Sequence, residues 1–291
     1  MAIRALYASS PEWLAAGQRL DELLHGPAFR ILKKTTRTLA GIAQVNGVEV
    51  FVKRVTTGSW VKGSIVRFCG SRARRTIRAA RILRSAGFAH PKLLAAFEQR
   101  RRGSVIASYL IVEYLRRSKI LSRFALADGR DFRWRCLVSE RLAQMIRRLH
   151  DAGCYTLDLQ ETNLMVEPQA SGLKIYFTDL EDFRRMPLVP WRLRLHNLVQ
   201  LDRSIGRFVS RAHRLRFLHN YLGDNASRAE ARALVGRLHR LLQRIERRSL
   251  RRQRSTTIVT PAAEGAQAGE IGPVPSGIAA CSHSSLARRE H

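Results

Sequence analysis

Residues 155–166 read Tyr155-Thr156-Leu157-Asp158-Leu159-Gln160-Glu161-Thr162-Asn163-Leu164-Met165-Val166. An Asp and an Asn stand five apart, and what surrounds them gives the pair meaning. Upstream, Val138, Leu142, Met145, Ile146 and Leu149 recur at helical spacing, with Gly153 as a C-cap. Downstream, the apolar runs Leu164 to Val166 and Ile175 to Phe177 flank the turn-like Pro168 to Gly172 and predict a small hairpin. Thr178-Asp179-Leu180-Glu181-Asp182 follows at once. A five-residue loop between a helix and a strand lets Asp158 and Asn163 point into one cleft. Asp179, at a strand end, completes an oxygen-rich set suited to a hard cation such as Mg²⁺. Glu181 and Asp182 are alternative metal-facing carboxylates. Asp179 is favoured because it directly follows the strand.

Towards the N-terminus, Ile42 to Val45 and Val48 to Lys53 flank Asn46-Gly47, a hairpin signal. Arg72 to Ala86 has apolar residues at helical spacing, with Gly87 and Pro91 as a stop. Val105 to Leu115 reads as a further strand, and Pro190 to Arg252 as amphipathic helix rich in arginine. Strands come first and helices later, which predicts two lobes: a strand-rich small lobe over 25–115 and a helical lobe over 116–252. Residues 253–291 are rich in Ser, Ala, Gly and Pro, bury too little apolar surface to offset ordering entropy, and are expected to be disordered. There is no internal repeat and no heptad array.

The order of parts is that of the protein-kinase fold: a strand lysine (Lys53, in Val50-Phe51-Val52-Lys53), a loop Asp-x4-Asn and a strand-ending Asp. The segment Leu149-His150 through Asn163 resembles the catalytic stretch of the lipopolysaccharide core kinases, the Kdo and heptose kinases. Gly70 to Arg75, Ala79-Ala80 with Leu83, Ala86-Gly87 with Pro91, and Ser108 to Tyr114 are also similar to that family. The resemblance covers roughly Leu32 to Ile205. It implies an α+β, two-lobed protein-kinase-like fold and ATP-dependent phosphorylation of a sugar hydroxyl in the lipopolysaccharide inner core. Asp158 would be the catalytic base. Asn163 and Asp179 would hold Mg²⁺, and Lys53 the nucleotide phosphates. The backbone at Glu113 and Leu115 would meet the adenine edge. The chain departs from the pattern in three places. Thr156 stands where the family has His. Lys33 to Gly41 replaces a glycine-rich phosphate loop. No acidic residue lies between Glu49 and Glu98 to partner Lys53 from the following helix. A pseudokinase scaffold, with the fold but no phosphotransfer, is the alternative these departures raise. The intact Asp158, Asn163 and Asp179 argue against it.

Charge is the unusual feature of the composition. The 291 residues carry 52 Lys+Arg against 23 Asp+Glu, a net charge of +29, with only seven lysines. Such a balance attracts polyanions: nucleic acid, anionic lipid or phosphorylated substrates. Residues 190–254 hold 17 Arg and four acids. Arginines flanking apolar helix faces there are compatible with docking on an anionic membrane surface, or with a solvated face. No zinc finger, RNA-recognition motif or helix-turn-helix signature supports a nucleic-acid-binding protein. No run of 18 apolar residues and no signal peptide are seen. Cys69, Cys136, Cys154 and Cys281 are too scattered for a disulfide frame or a zinc site. A reduced, cytoplasmic protein is expected, peripheral on the inner face of the cytoplasmic membrane, with ATP and a lipid-linked sugar acceptor as partners. His150 is expected to be structural, and Cys154 packed rather than reactive.

Overall fold

The computed structural model describes residues 2–57, 70–126, 132–170, 172–206, 209–223 and parts of 227–244, all within a compact unit spanning Met1–Glu246. Residues 253–291, for which disorder is expected, and Cys69 and Cys281 lie outside the described residues.

The chain opens with strand β1 (Ala2–Ala8), the short helices α1 (Pro11–Ala15) and α2 (Leu20–His25), and strands β2 (Arg30–Lys34), β3 (Thr38–Val45) and β4 (Val48–Thr56). Helix α3 (Arg72–Ser85) and strands β5 (Leu93–Arg101) and β6 (Ser104–Glu113) complete this part. The six strands form one sheet in the order β1-β5-β6-β4-β3-β2, with every neighbouring pair antiparallel. The sheet thus begins at Ala2, ahead of the boundary expected at residue 25. The β3–β4 turn pairs Val45 with Val48 and places Asn46 and Gly47 at φ 51° and 77°, the positive values a two-residue hairpin turn requires. One sheet face buries Val50, Val52, Ala95, Phe97, Tyr109 and Ile111 under α2.

Helix α3 begins at Ser71, whose hydroxyl accepts from the Arg74 N–H at 3.2 Å. Its first turn is basic with no acid, an unfavourable sign for the helix dipole. Buried acids answer it. Glu98, fully buried on β5, pairs with Arg74 at 3.1 Å and with Arg100 at 2.8 Å. Burial pushes the Glu98 carboxyl up, but the Ser71 hydroxyl and then Arg100 and Arg74 outweigh it and hold the group below its ordinary range.

The remainder is mostly helical. Strand β7 (Lys119–Ile120) and helices α4 (Leu121–Leu126) and α5 (Phe132–Asp151) lead to β8 (Cys154–Thr156). The hairpin β9 (Leu164–Gln169) and β10 (Gly172–Phe177), strand β11 (Phe183–Arg185), and helices α6 (Trp191–Ile205) and α7 (Arg211–Leu222) follow. Val138, Leu142, Ala143, Ile146 and Leu149 are the buried face of α5. Gly153 stands at φ 75°, and a Cβ there would strike the Met186 carbonyl, so this helix end requires glycine. Phe177 at the end of β10 packs edge-on against Phe88 and Phe183, at 6.0 and 5.1 Å, and its N–H donates to Ala89 O at 2.9 Å. That contact ties the hairpin to the segment after α3. Among the described residues, no helix is long and apolar enough to cross a membrane.

Candidate active site

Lys53 lies in β4, paired with Ala40 on one side and Leu110 on the other. Its ammonium donates to Asp179 Oδ1 at 2.6 Å, with the Lys53 side chain 15% and the Asp179 side chain 39% exposed. Asp179 reaches it through a sharp turn: directly after β10 it adopts left-handed φ 51°, ψ 58°, a conformation Asp tolerates better than most residues. Asn163 stands on the other side of the same junction, and its carbonyl accepts the Thr178 N–H at 2.9 Å. Its side-chain Nδ2 donates to the Asp158 carbonyl and to Asp158 Oδ2, both at 3.1 Å. Gln160 Nε2 donates to Asp158 Oδ1. Asp158 with Asn163 and Lys53 with Asp179 are thus two hydrogen-bonded pairs, joined by the backbone bond from Thr178, next to Asp179, to Asn163.

The donor set fits a magnesium ion bound with nucleotide phosphates. Both Asn163 side-chain hydrogen bonds use the nitrogen, which leaves Oδ1 as an oxygen ligand, and Asp179 keeps Oδ2 beyond its contact with Lys53. Mg²⁺ takes one or two such protein oxygens and completes its shell with phosphate and water.

Helix α6 supplies what sequence reasoning missed. Asn197, Gln200 and Ser204 stand at i, i+3 and i+7, on one face, and hold the backbone of the 156–161 loop. Asn197 Nδ2 donates to Thr156 O at 2.6 Å, and its Oδ1 accepts from Thr156 N–H at 3.4 Å. Gln200 Oε1 accepts from Leu159 N–H at 3.2 Å, and its amide nitrogen donates to Leu157 O. Ser204 Oγ accepts from Glu161 N–H at 3.0 Å. The signal was three polar residues at helical period among Leu198, Val199 and Leu201.

Behind this clamp lies His150, wholly buried. Its Nε2 faces Asn197 Oδ1 at 3.2 Å, and its Nδ1 faces the Tyr221 hydroxyl at 2.8 Å. Asn197 offers only an oxygen, so Nε2 carries the proton and Nδ1 accepts from Tyr221. The ring is neutral, and burial pulls its pKa down to about 4. Thr156 is held by Asn197 through its backbone, and its hydroxyl accepts the Asp158 N–H at 3.2 Å. Because the folded pKa lies below the ordinary 6.5, the unfolded chain binds more protons between pH 6.5 and about 4. The stability from burying neutral His150 is complete above pH 6.5 and lost as pH falls through that window. It amounts to roughly 3 kcal/mol. In thermal unfolding at pH 7.5 and pH 4.5, His150→Gln is expected to lose part of the wild-type sensitivity to acid. An equal pH dependence in both proteins would contradict a buried neutral ring.

Glu181, two residues past Asp179, is buried and accepts from Arg72 Nη1 of α3. Burial pushes its carboxyl up. Lys53 opposes that shift ahead of Arg72, while Asp179 adds to it.

At the end of β6, Glu113 gives its N–H to the Lys92 carbonyl at 2.9 Å, and its side chain accepts the Lys92 N–H at 3.1 Å. The Glu113 amide is therefore not free for a ligand. The Leu115 carbonyl accepts from Ser118, and the Leu115 N–H donates to no backbone carbonyl among the described residues. The loop between β2 and β3, in place of glycines, is a tight turn in which Thr35 Oγ1 accepts from Arg37 and Thr38 N–H at 3.3 and 3.0 Å. Cys154 is fully buried, and burial pushes its thiol up, so it is packed and unreactive. Apart from this site, the helical part has a mostly apolar, partly open pocket of about 250 Å³ between α5, α6 and α7, lined by Trp134, Val138, Leu142, Leu198 and Phe217 among others.

A strand-rich sheet bearing a lysine, joined to a helical part bearing the Asp-x4-Asn loop and a strand-ending Asp, defines a protein-kinase-like protein. The profile of the lipopolysaccharide kinase (Kdo/WaaP) family matches residues 33–221, and the chain belongs to that family, whose members are kinase-type phosphotransferases. Among solved structures, WaaP in complex with acyl carrier protein is similar in fold, with a TM-score of 0.61 at 20% identity over 83% of this chain and 98% of that one. No curated protein matches the sequence.

Proposed function

We propose that this lipopolysaccharide kinase transfers the γ-phosphoryl group of ATP to a sugar hydroxyl of the inner core. The observation that carries the reading is the direct Lys53–Asp179 ion pair at 2.6 Å, which closes the nucleotide side of the cleft onto the Asp158–Asn163 loop. In the proposed reaction the acceptor oxygen bonds to the γ-phosphorus as the bond to the ADP oxygen breaks. Asp158 orients the hydroxyl and takes its proton. Lys53 holds the non-transferred phosphates, and the backbone between Glu113 and Leu115, with its Leu115 N–H, meets the adenine edge. Asn163 and Asp179 would hold Mg²⁺, which, when bound, neutralises phosphate charge. The transition state is loose, so alignment and charge stabilisation provide most of the rate. The three retained polar residues favour catalysis over a pseudokinase scaffold. Calorimetric titration with ATP tests this reading. Binding is expected with Mg²⁺ and much weaker binding without it; no nucleotide binding in either condition would contradict it.

The acceptor is lipid-linked, which accords with docking on anionic membrane. The arginines differ in their freedom to do so. Arg214 pairs with Asp202 at 3.5 Å and donates to Gly206 O, so it is structural. Arg100 is engaged by Glu98. Arg216 lies over the ring of Phe132, which is 59% exposed, beside the partly exposed Leu215, and donates from Nη1 to Cys136 Sγ, with no acidic partner among the described residues. In sedimentation with anionic vesicles at low salt, neutralising Arg211 and Arg216 is expected to weaken binding about 10- to 30-fold, and neutralising Arg101 and Arg102 much less. Both effects are expected to shrink at physiological salt. Equal losses, or stronger binding to RNA than to vesicles, would leave the arginines as general solvated charge. The carrier protein in the WaaP complex suggests an acyl carrier protein as a further partner, with the mostly apolar pocket between α5, α6 and α7 available to a partner's acyl group.

A further inference from the structure

Protein kinases hold their nucleotide-binding lysine with a glutamate from the following helix. In this chain no acidic residue lies between Glu49 and Glu98, so α3 offers none. Instead α3 begins with Arg72, and Arg72 Nη1 donates to Glu181 Oε1. The polarity of the contact is reversed: the helix brings the cation, and the segment after Asp179 brings the acid. The left-handed turn at Asp179 and the 3-10 turn Leu180–Asp182 fold Glu181 back against α3. Its carboxylate meets the N-terminal end of a 14-residue helix, where the dipole also favours negative charge.

The Glu181 side chain is only 5% exposed. Arg72 takes one of its oxygens. The other, Oε2, is buried with no hydrogen-bond partner among the described residues. A buried carboxylate oxygen without a donor is a penalty that a native site normally removes. Lys53 is bonded to Asp179, two residues before Glu181 at the head of the same turn, and among the described residues that is the one hydrogen bond its ammonium gives. When Asp179 turns to a metal and nucleotide, Lys53 loses that partner at a site where its side chain is 15% exposed.

We infer that Glu181 is the positioning residue for Lys53: its buried Oε2 holds the lysine ammonium in the nucleotide-loaded cleft, in place of the helix glutamate that this chain lacks. The inference rests on the phosphotransfer reading above. It makes Asp179-Leu180-Glu181 a single device, with Asp179 facing the metal side and Glu181 the lysine. Arg72 couples α3 to the site.

The test is a double-mutant cycle on the full chain, read as affinity for Mg·ATP by calorimetry, with thermal unfolding as the folding check. Glu181→Gln is expected to weaken Mg·ATP binding about 10- to 100-fold, the range for a lost hydrogen bond to a charged group. Arg72→Gln is expected to cost clearly less, because Glu181 still faces Lys53. In a Lys53→Met background, Glu181→Gln is expected to add nothing. Glu181→Asp, which keeps the charge on a shorter arm, is expected to recover part of the loss. If Glu181 serves only to anchor α3, Arg72→Gln will match Glu181→Gln, and the latter will keep its full effect without Lys53. That result overturns the inference. Should Glu181→Gln not fold, the same cycle run with Glu181→Asp decides in the same way. A wild-type protein that binds no Mg·ATP would instead remove the phosphotransfer reading, and the inference with it. The two failures are distinguished by the wild-type titration alone.

Discussion

Asp158→Asn is expected to leave Mg·ATP binding nearly intact and to slow phosphoryl transfer by about 10²–10⁴-fold, the usual range for losing a positioned base. The local geometry makes the substitution clean. Asn163 Nδ2 donates to Asp158 Oδ2 and to the Asp158 carbonyl, each at 3.1 Å. An asparagine keeps one side-chain acceptor for the first bond and leaves the second untouched. The loop itself is held from α6 through backbone groups, by Asn197, Gln200 and Ser204, so it does not depend on the Asp158 charge. Gln160 is exposed and can turn its amide to water. What is lost is the basic oxygen. Single-turnover kinetics beside calorimetry measure the two quantities separately. Equal losses in affinity and rate would place Asp158 on the nucleotide side and contradict the base assignment.

Asp179→Ala is expected to act on the other quantity. It removes an oxygen ligand proposed for the metal and the hydrogen-bonded partner of Lys53 together. Affinity for Mg·ATP is expected to fall on the order of 100-fold or more, since even residues that merely support metal ligands cost about 10–100-fold. Titrations with and without Mg²⁺ are expected to converge in this variant, because the gain from the metal is gone. A variant that keeps the wild-type difference between the two conditions would show that Glu181 or Asp182, not Asp179, faces the metal.

The parts of this site that were legible in the sequence are those written in short-range pattern. The apolar face of α5, its glycine stop at Gly153, the Asp158–Asn163 spacing and the β9–β10 hairpin before Asp179 all lie within about forty residues of chain. The Asn46-Gly47 turn was equally plain, because only a few residue types accept two consecutive positive φ values. Strand β1 was not legible. Ala2–Ala8 alternates weakly, its first residues are exposed, and its pairing partner, β5, lies some ninety residues downstream. The loop clamp was hidden for the same reason: Asn197 and Gln200 reach Thr156 and Leu159 across a separation of 41 residues. The Arg72–Glu181 contact spans 109 residues. The missing acid in α3 could be read from the chain, but which group answers Lys53 could not, since that depends on how the turn at Asp179 folds back. At Glu113, the family resemblance implied a backbone contact with adenine, and nothing in the sequence revealed that the Glu113 N–H is given to Lys92.

The most direct measurement is of the product. Purified protein, ATP and Mg²⁺ are incubated with lipopolysaccharide carrying an unphosphorylated inner core, and the glycolipid is analysed by mass. The wild type is expected to add phosphate to a core sugar, dependent on both ATP and Mg²⁺, and Asp158→Asn to add almost none in the same time. A protein that binds Mg·ATP yet leaves the core unmodified, across acceptors differing in their inner-core sugars, would contradict phosphorylation of the lipopolysaccharide core.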